Sequence, residues 1–269
     1  MSHFQFQTVS NIISGLGSIY ELKQLSQQPP YKKLLLVTDA GMIQQQLHLP
    51  IIEILETIQL DYVIYSSVQA DPPEHIVLDA VQFAKSEKVD IVLGFGGGSS
   101  LDVAKIIAIL AHPQQQQTLQ NLYGINNAKQ PRLLLFLVPT TAGTGSEVTP
   151  ISIVTTGETT KTGIVSPVLF ADVAILDATF TQNLPAHITA ATGIDAMVHA
   201  IEAYTSKIKK NPYADMLAKQ ALKLLNHNLS LVLADGQNLA ARQNMLVGSM
   251  LAGQAFANAP VAAVHALAY

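Results

Sequence analysis

Four short stretches of the chain are apolar without interruption: KLLLVTD at 33–39, DYVIYSS at 61–67, DIVLGFGG at 90–97 and RLLLFLV at 132–138. Continuous rather than alternating apolar runs of this length predict strands buried on both faces. Between them, MIQQQLHLPIIEILETI (42–58) and HIVLDAVQFAKSEK (75–88) repeat apolar residues at helical spacing, each predicting one amphipathic helix. The alternation predicts a β-α-β-α-β arrangement, a parallel sheet with helices on its faces. VTPISIVT and VAILDA carry the strand signal on to about residue 178.

Beyond Pro185 the strand signals stop and alanine-rich helical patterns such as NPYADMLAKQALKLLNHNLSLVLA take over, with Asn211 placed to cap a helix that has Pro212 at its first position. The division expected is an α/β segment over 1–181 and an all-helical segment over 182–269. Glutamine runs at 44–46 and 114–117 are expected to be solvated surface, the first on a helix and the second on a loop.

Composition narrows the picture. With 269 residues, 49% of them hydrophobic, the chain can build sizeable cores. A net charge of −4 with no basic stripe argues against a nucleic-acid partner. Without cysteine, any metal must sit on nitrogen and oxygen ligands. The start, MSHFQFQTVS, lacks a secretory pattern and no apolar run reaches bilayer length, so the expectation is a cytoplasmic protein with no membrane association.

Candidate chemistry begins at DIVLGFGGGSSLDVAKIIAIL, a strand, a glycine turn and a helix. Glycines let backbone N–H groups and the positive helix end approach a phosphate, which makes Gly96, Gly97, Gly98 and Ser99 an anion-site candidate. The plainer reading has Ser99 capping the helix and Asp102, three residues on, completing a capping box. The dinucleotide fingerprint is imperfect, because Ser99 stands where its third glycine belongs, and no glycine-lysine-serine/threonine ending marks a phosphotransfer loop. Asp39, at a strand's carboxyl end, can accept both ribose hydroxyls and repel a 2′-phosphate, favouring NAD over NADP, or can cap the next helix. VPTTAGTGSEVTP, residues 138–150, packs Thr140, Thr141, Thr144, Ser146 and Thr149 around two glycines, hydroxyls that can donate to a bound nucleotide or form ordinary Ser/Thr turns with no ligand.

GIDAMVHAIEAYTS, 193–206, stacks Asp195 and His199 on one helix face at a four-residue interval. A carboxylate with an imidazole suits Fe(II), Zn(II) or Mn(II) and equally suits a helix ion pair. His265, among small apolar residues in VAAVHALAY, is a further ligand candidate or a core histidine bonded to a carbonyl. Glu202 is placed either to orient His199 or to be a solvated charge.

Four stretches, GFGGGSSLDVAK, VPTTAGTGSEVTP, GIDAMVHAIEAYTS and LAGQAFANAPVAAVHALAY, resemble in order the motif regions of the iron-containing, or group III, alcohol dehydrogenase family. The resemblance implies a Rossmann-like α/β domain followed by an all-α domain, incomplete here, with a divalent metal in the cleft between them. It implies Asp195, His199 and His265 as metal ligands to Fe(II) or Zn(II), and Gly97, Gly98 and Ser99 as the pyrophosphate loop of NAD. It further implies Asp39, Asp102, Thr140, Thr141, Thr144 and Lys161, in ETTKTGIVSP, around the cofactor; a solvated loop position is the ordinary alternative for Lys161. A second family histidine beyond His265 has no counterpart before Tyr269, so the chain is expected to be truncated, metal-poor and weakly active. The implied reaction is hydride transfer between an alcohol or aldehyde and nicotinamide in a homo-oligomer, a dimer. The alternatives are a non-catalytic NAD-binding protein and a zinc-dependent glycerol or polyol dehydrogenase.

Overall fold

The computed structural model describes residues 3–25 and 31–260, and all four apolar runs are strands in it. β1 (Asn11–Ser14) and a short α1 (Leu22–Leu25) precede β2 (Lys33–Asp39), α2 (Ala40–Gln44), α3 (Leu49–Thr57), β3 (Asp61–Val68), α4 (Glu74–Glu87), β4 (Ile91–Gly96) and α5 (Gly98–Leu110). Next come α6 (Leu119–Leu122), a two-residue β5 (Gly124–Ile125), β6 (Leu134–Pro139), the hairpin of β7 (Ile151–Thr156) and β8 (Thr160–Val165), and β9 (Val173–Leu176). Three long helices follow: α7 (Ala186–Thr205), α8 (Pro212–Ala234) and α9 (Leu239–Asn258).

Six strands make one wholly parallel sheet in the order β1-β9-β6-β4-β2-β3. The unbroken runs follow from burial of both faces: Leu34, Leu36, Leu93, Phe95 and Val138 pack with Ile51 and Leu55 of α3, while Leu35, Val37, Val92 and Leu137 join the core that includes α4 and α5. The chain leaves β2 for β3 on one side and returns to place β4 on the other. The carboxyl ends of β2 and β4 therefore flank a topological switch point, where open parallel sheets form their ligand crevice.

The expected helix over 42–58 is two helices. Gln46 adopts φ 58°, and Pro50 lies at the start of α3, where its missing N–H breaks no helical bond. Of the second sheet, β5-β8-β7, only β7 was signalled, by VTPISIVT; β8 was missed because TKTGIV is half-exposed and carries no apolar run. β1, with four half-exposed or exposed residues at the sheet edge, escaped for the same reason.

Beyond Pro185 only helices remain among the described residues. Asn211 caps α8 by accepting from Ala214 N at 2.8 Å, and Asn238 caps α9 by accepting from Ala241 N at 3.0 Å. Ala196, Ala200, Ala203, Ala218, Ala221 and Ala255 are fully buried between the helices, so small side chains allow close helix contact. Gln243 of α9 ties this layer to the sheet, donating to the Leu176 carbonyl at 2.9 Å and accepting from Ala178 N at 3.0 Å. No helix of the described residues is long and apolar enough to cross a membrane.

Candidate active site

β4 ends at Gly96, whose φ of +146° and whose distance of 2.8 Å between an added Cβ and Ser100 Oγ both require glycine. The chain turns at once into α5, with Gly97 as the cap and no side-chain cap hydrogen bond. Ser99 therefore does not cap the helix, and its capping box with Asp102 does not form. The positive end of α5 instead opens on the crevice with backbone amides as its donors. Gly98 lies against the hydroxyl-rich loop: a Cβ on it would come within 2.9 Å of Thr144 Cγ2, whereas one on Gly97 would stand 3.8 Å from Thr141.

Asp39 caps the next helix, as one of its two readings has it. Its Oδ1 caps α2, accepting from Gly41 N at 2.8 Å and Met42 N at 3.2 Å, while Oδ2 lies on the glycine-turn side, 3.4 Å from where a Gly96 Cβ would be. Thr140 is buried and its N–H donates to the Gly96 carbonyl at 3.0 Å, so it fastens the two loops together.

One cleft of about 310 Å³ gathers Gly98, Ser99, Asp102, Thr144, Lys161, Asp195 and His199, together with Asp71, Ile151, Ile153 and Phe256. Asp195 and His199 are one turn apart on α7, with Oδ2 and Nδ1 separated by 3.9 Å. A tetrahedral ion with bonds of about 2 Å sets its ligands roughly 3.3 Å apart, so the pair reaches a shared cation with a shift of about half an ångström. An anionic oxygen and an imidazole nitrogen fit a borderline divalent ion in charge and softness. Among the described residues no group of three or more such side chains forms a metal cluster, and His265 lies outside the described residues. His199 is buried against Phe256, ring to ring at 4.4 Å and 28°. Glu202 is only 4% exposed, which overturns the solvated-charge alternative. Lys161 lies on β8 rather than a loop, and its Nζ meets Asp71 Oδ1 at 2.7 Å at the cleft mouth.

Beneath the cleft is a polar knot in which sequence patterns singled out Asp102 and Ser146 but not Lys105 or Glu147. Asp102 accepts from Ser146 Oγ at 2.6 Å and from Ile153 N at 2.9 Å, so its carboxylate is engaged with the loop and β7. Lys105, fully enclosed, donates to Ser146 Oγ at 2.8 Å and to the Ile151 carbonyl at 2.6 Å. Burial pushes the Lys105 ammonium below its usual range, although Asp102 and Glu147 pull it back up. Burial likewise raises the Glu147 carboxyl to about 7, against the opposing pull of its own backbone N–H and of Lys105. The available signal was a lysine inside the otherwise apolar VAKIIAIL, three residues after an aspartate. Phe256 and Asp71 carried no signal. A wider hollow of about 950 Å³ lies near Lys88, His112 and Arg132, at the amino ends of the strands, and contains none of the site residues.

A model of the iron-containing alcohol dehydrogenase family matches residues 10–178, and a model of the C-terminal region of the Fe-containing alcohol dehydrogenase family matches residues 189–269. Long-chain-alcohol dehydrogenase 1 of Geobacillus thermodenitrificans is 41% identical over 256 residues, 95% of this chain and 64% of that protein. Sulfoacetaldehyde reductase of Bilophila wadsworthia is 37% identical over 265 residues, 98% of this chain and 68% of that protein. The chain thus spans about two thirds of the length of these relatives. Among solved structures, a 1,3-propanediol oxidoreductase superposes with a TM-score of 0.94 at 36% identity, covering 99% of this chain and 69% of that one. Sulfoacetaldehyde reductase from Bifidobacterium kashiwanohense, in complex with NAD+, gives 0.90 at 28% identity, covering 99% and 70%. Matched along both its α/β and its helical parts, the chain belongs to the iron-containing alcohol dehydrogenase family.

Proposed function

We propose that this chain carries the nucleotide and metal sites of an NAD-dependent alcohol dehydrogenase, a catalyst of hydride exchange between a small alcohol or aldehyde and a nicotinamide. The observation that carries the reading is a single cleft lined at once by the amino end of α5, at Gly98 and Ser99, and by Asp195 and His199 of α7. A phosphate binder and a cation binder so close together suit a reaction in which a dinucleotide and a polarised oxygen must meet. The name of a relative solved with NAD+ supports the dinucleotide, and the family supports iron.

Each residue has a part within that reading. Backbone amides at Gly97 and Gly98 hold the pyrophosphate, with Ser99 and Thr144 hydroxyls beside it. Asp39 Oδ2 takes the ribose hydroxyls and repels a 2′-phosphate, so the cofactor is NAD rather than NADP. Thr140 and Thr141 set the second loop, and Asp195 and His199 hold the divalent ion, Fe(II) or Zn(II). When bound, the ion supplies Lewis acidity toward the substrate oxygen and the dinucleotide supplies the hydride acceptor. Ile151, Ile153 and Phe256 give the cleft apolar walls that limit water, and Lys161 with Asp71 places a charged pair at its mouth.

The test measures two bindings and then turnover. NADH should bind the purified chain in the absence of metal, and Fe(II) or Zn(II) should bind with an affinity that falls at least about 10–100-fold in His199→Ala, while NADH affinity changes little. Alcohol-dependent NAD reduction should track bound metal. A chain that ignores NADH, or a His199→Ala protein with the parent's metal affinity, overturns the reading.

A further inference from the structure

We propose that Lys105 is a positioning residue for the dinucleotide cradle: from inside the protein it holds the Thr144 loop in place over Gly98, fixing the gap that a pyrophosphate enters. The inference rests on the reading of the cleft as a NAD site.

Lys105 is on the second turn of α5, and its side chain is wholly enclosed, so no ligand atom can touch it. Four oxygens surround Nζ: the Ile151 carbonyl at 2.6 Å, Ser146 Oγ at 2.8 Å, Asp102 Oδ1 at 3.4 Å and Thr149 Oγ1 at 3.5 Å. The Ser146 hydroxyl gives its own proton to Asp102 Oδ1 at 2.6 Å, so toward Lys105 it can only accept. An ammonium with three donors is the species this oxygen shell fits. The two shortest contacts fall on either end of the segment 146–151, and Asp102 takes Ile153 N at 2.9 Å just beyond it. One turn of helix α5 thus anchors the loop and the first residues of β7.

That anchoring matters because of where the loop begins. Thr144 precedes Ser146 by two residues, donates no bulk to the core, and accepts from Ser146 N at 3.2 Å. Its methyl group would contact a Cβ on Gly98 at 2.9 Å, so the spacing between loop and glycine turn is set to within a methyl group. A buried cation is a poor way merely to fill space, since it must be stripped of water and then satisfied by partners built around it. What the cation supplies is direction, with three bonds that fix a loop to the helix whose amino end faces the cleft.

Lys105→Met keeps the length of the side chain and removes the donor. Its expected effect is a weakening of NADH binding, followed by nucleotide fluorescence on metal-free protein well below the unfolding transition, of about ten-fold or more, with a thermal midpoint below the parent's because Asp102, Ser146 and the Ile151 carbonyl lose a buried partner. Amide exchange should accelerate over 144–153 and stay unchanged in α8 and β3. Ser146→Ala, which removes the oxygen shared by Lys105 and Asp102, should weaken NADH by about five-fold alone and add nothing in the Lys105→Met background. Should Lys105→Met fail to fold, Lys105→Gln and Ser146→Ala carry the same measurements. A parent chain that binds NADH, together with variants that bind it within about twofold and show parental exchange over 144–153, overturns the inference and leaves the cofactor reading standing. A parent that does not bind NADH overturns both.

Discussion

Glu147 lies in the short 3-10 turn Ser146–Val148 and is 3% exposed, held by burial at a pKa of about 7. Its ordinary value is 4.5, so between roughly 4.5 and 7 the folded chain keeps a proton that the unfolded chain has released. Stability must fall as pH rises through that window, with the full cost present above 7. Glu147→Gln removes the ionisation, and its stability relative to the parent should therefore increase from pH 5 to pH 8, by about 3 kcal/mol at the most. Urea unfolding of both proteins at the two pH values measures the difference. A gap that is the same at both would show that the carboxylate is already compensated, most directly by Lys105. Individual residues in the cleft divide by how local their signals are. Gly98, Ser99, Asp195 and His199, which line the cleft, could be read from spacing along one element. Lys105, enclosed beneath the cleft, had only Asp102 three residues before it as a local sign, because Ser146 and Ile151 lie more than forty residues on, as does the His199 that Phe256 stacks against.

Helix α9 reaches the nucleotide loop through a contact that only two glycines permit. Gly145 has φ +61°, and a Cβ on Gly253 would stand 2.9 Å from both the Cα and the carbonyl oxygen of Gly145. Backbone cannot yield there as a flexible side chain would. Gly253→Ala should cost about 1–3 kcal/mol and push α9 off the loop, displacing Phe256 one turn along and with it the wall behind His199. Gly163→Ala, whose Cβ would meet Ile153 Cδ1 at an ordinary 3.5 Å, is the matched control and should behave like the parent. A Gly253→Ala protein with parental thermal midpoint and parental NADH affinity would refute this account of the interface. Elements themselves were legible wherever one physical rule acted alone: strands buried on both faces, and helices such as α4 with a single apolar side. Legibility failed where two rules compete. Helical spacing continues through 42–58 while Pro50 and a positive φ at Gln46 break the backbone, and β8 is paired through main-chain bonds that half-exposed side chains do not announce.

At the scale of the whole molecule, apolar surface is distributed unevenly. The sheet is covered on both faces, but Ile194 at 51% and Ile201 at 49% exposure stand seven residues apart on one side of α7, with half-buried Val198 between them. Ile208 at 67% and Met216 at 59% extend the exposed apolar surface toward α8. Scattered exposed hydrophobes need no explanation, whereas a row of them along a helix gains by leaving water on association. With a net charge of only −4, electrostatic repulsion opposes association weakly. The chain is therefore expected to self-associate, with a sedimentation coefficient that rises with concentration, and Ile201→Lys should move that rise to higher concentration by placing a solvated charge in the row. A dilution series of the parent and of Ile201→Lys, followed by sedimentation, tests this. A single species of constant size at all concentrations, unaffected by Ile201→Lys, would mean that the row is tolerated as surface.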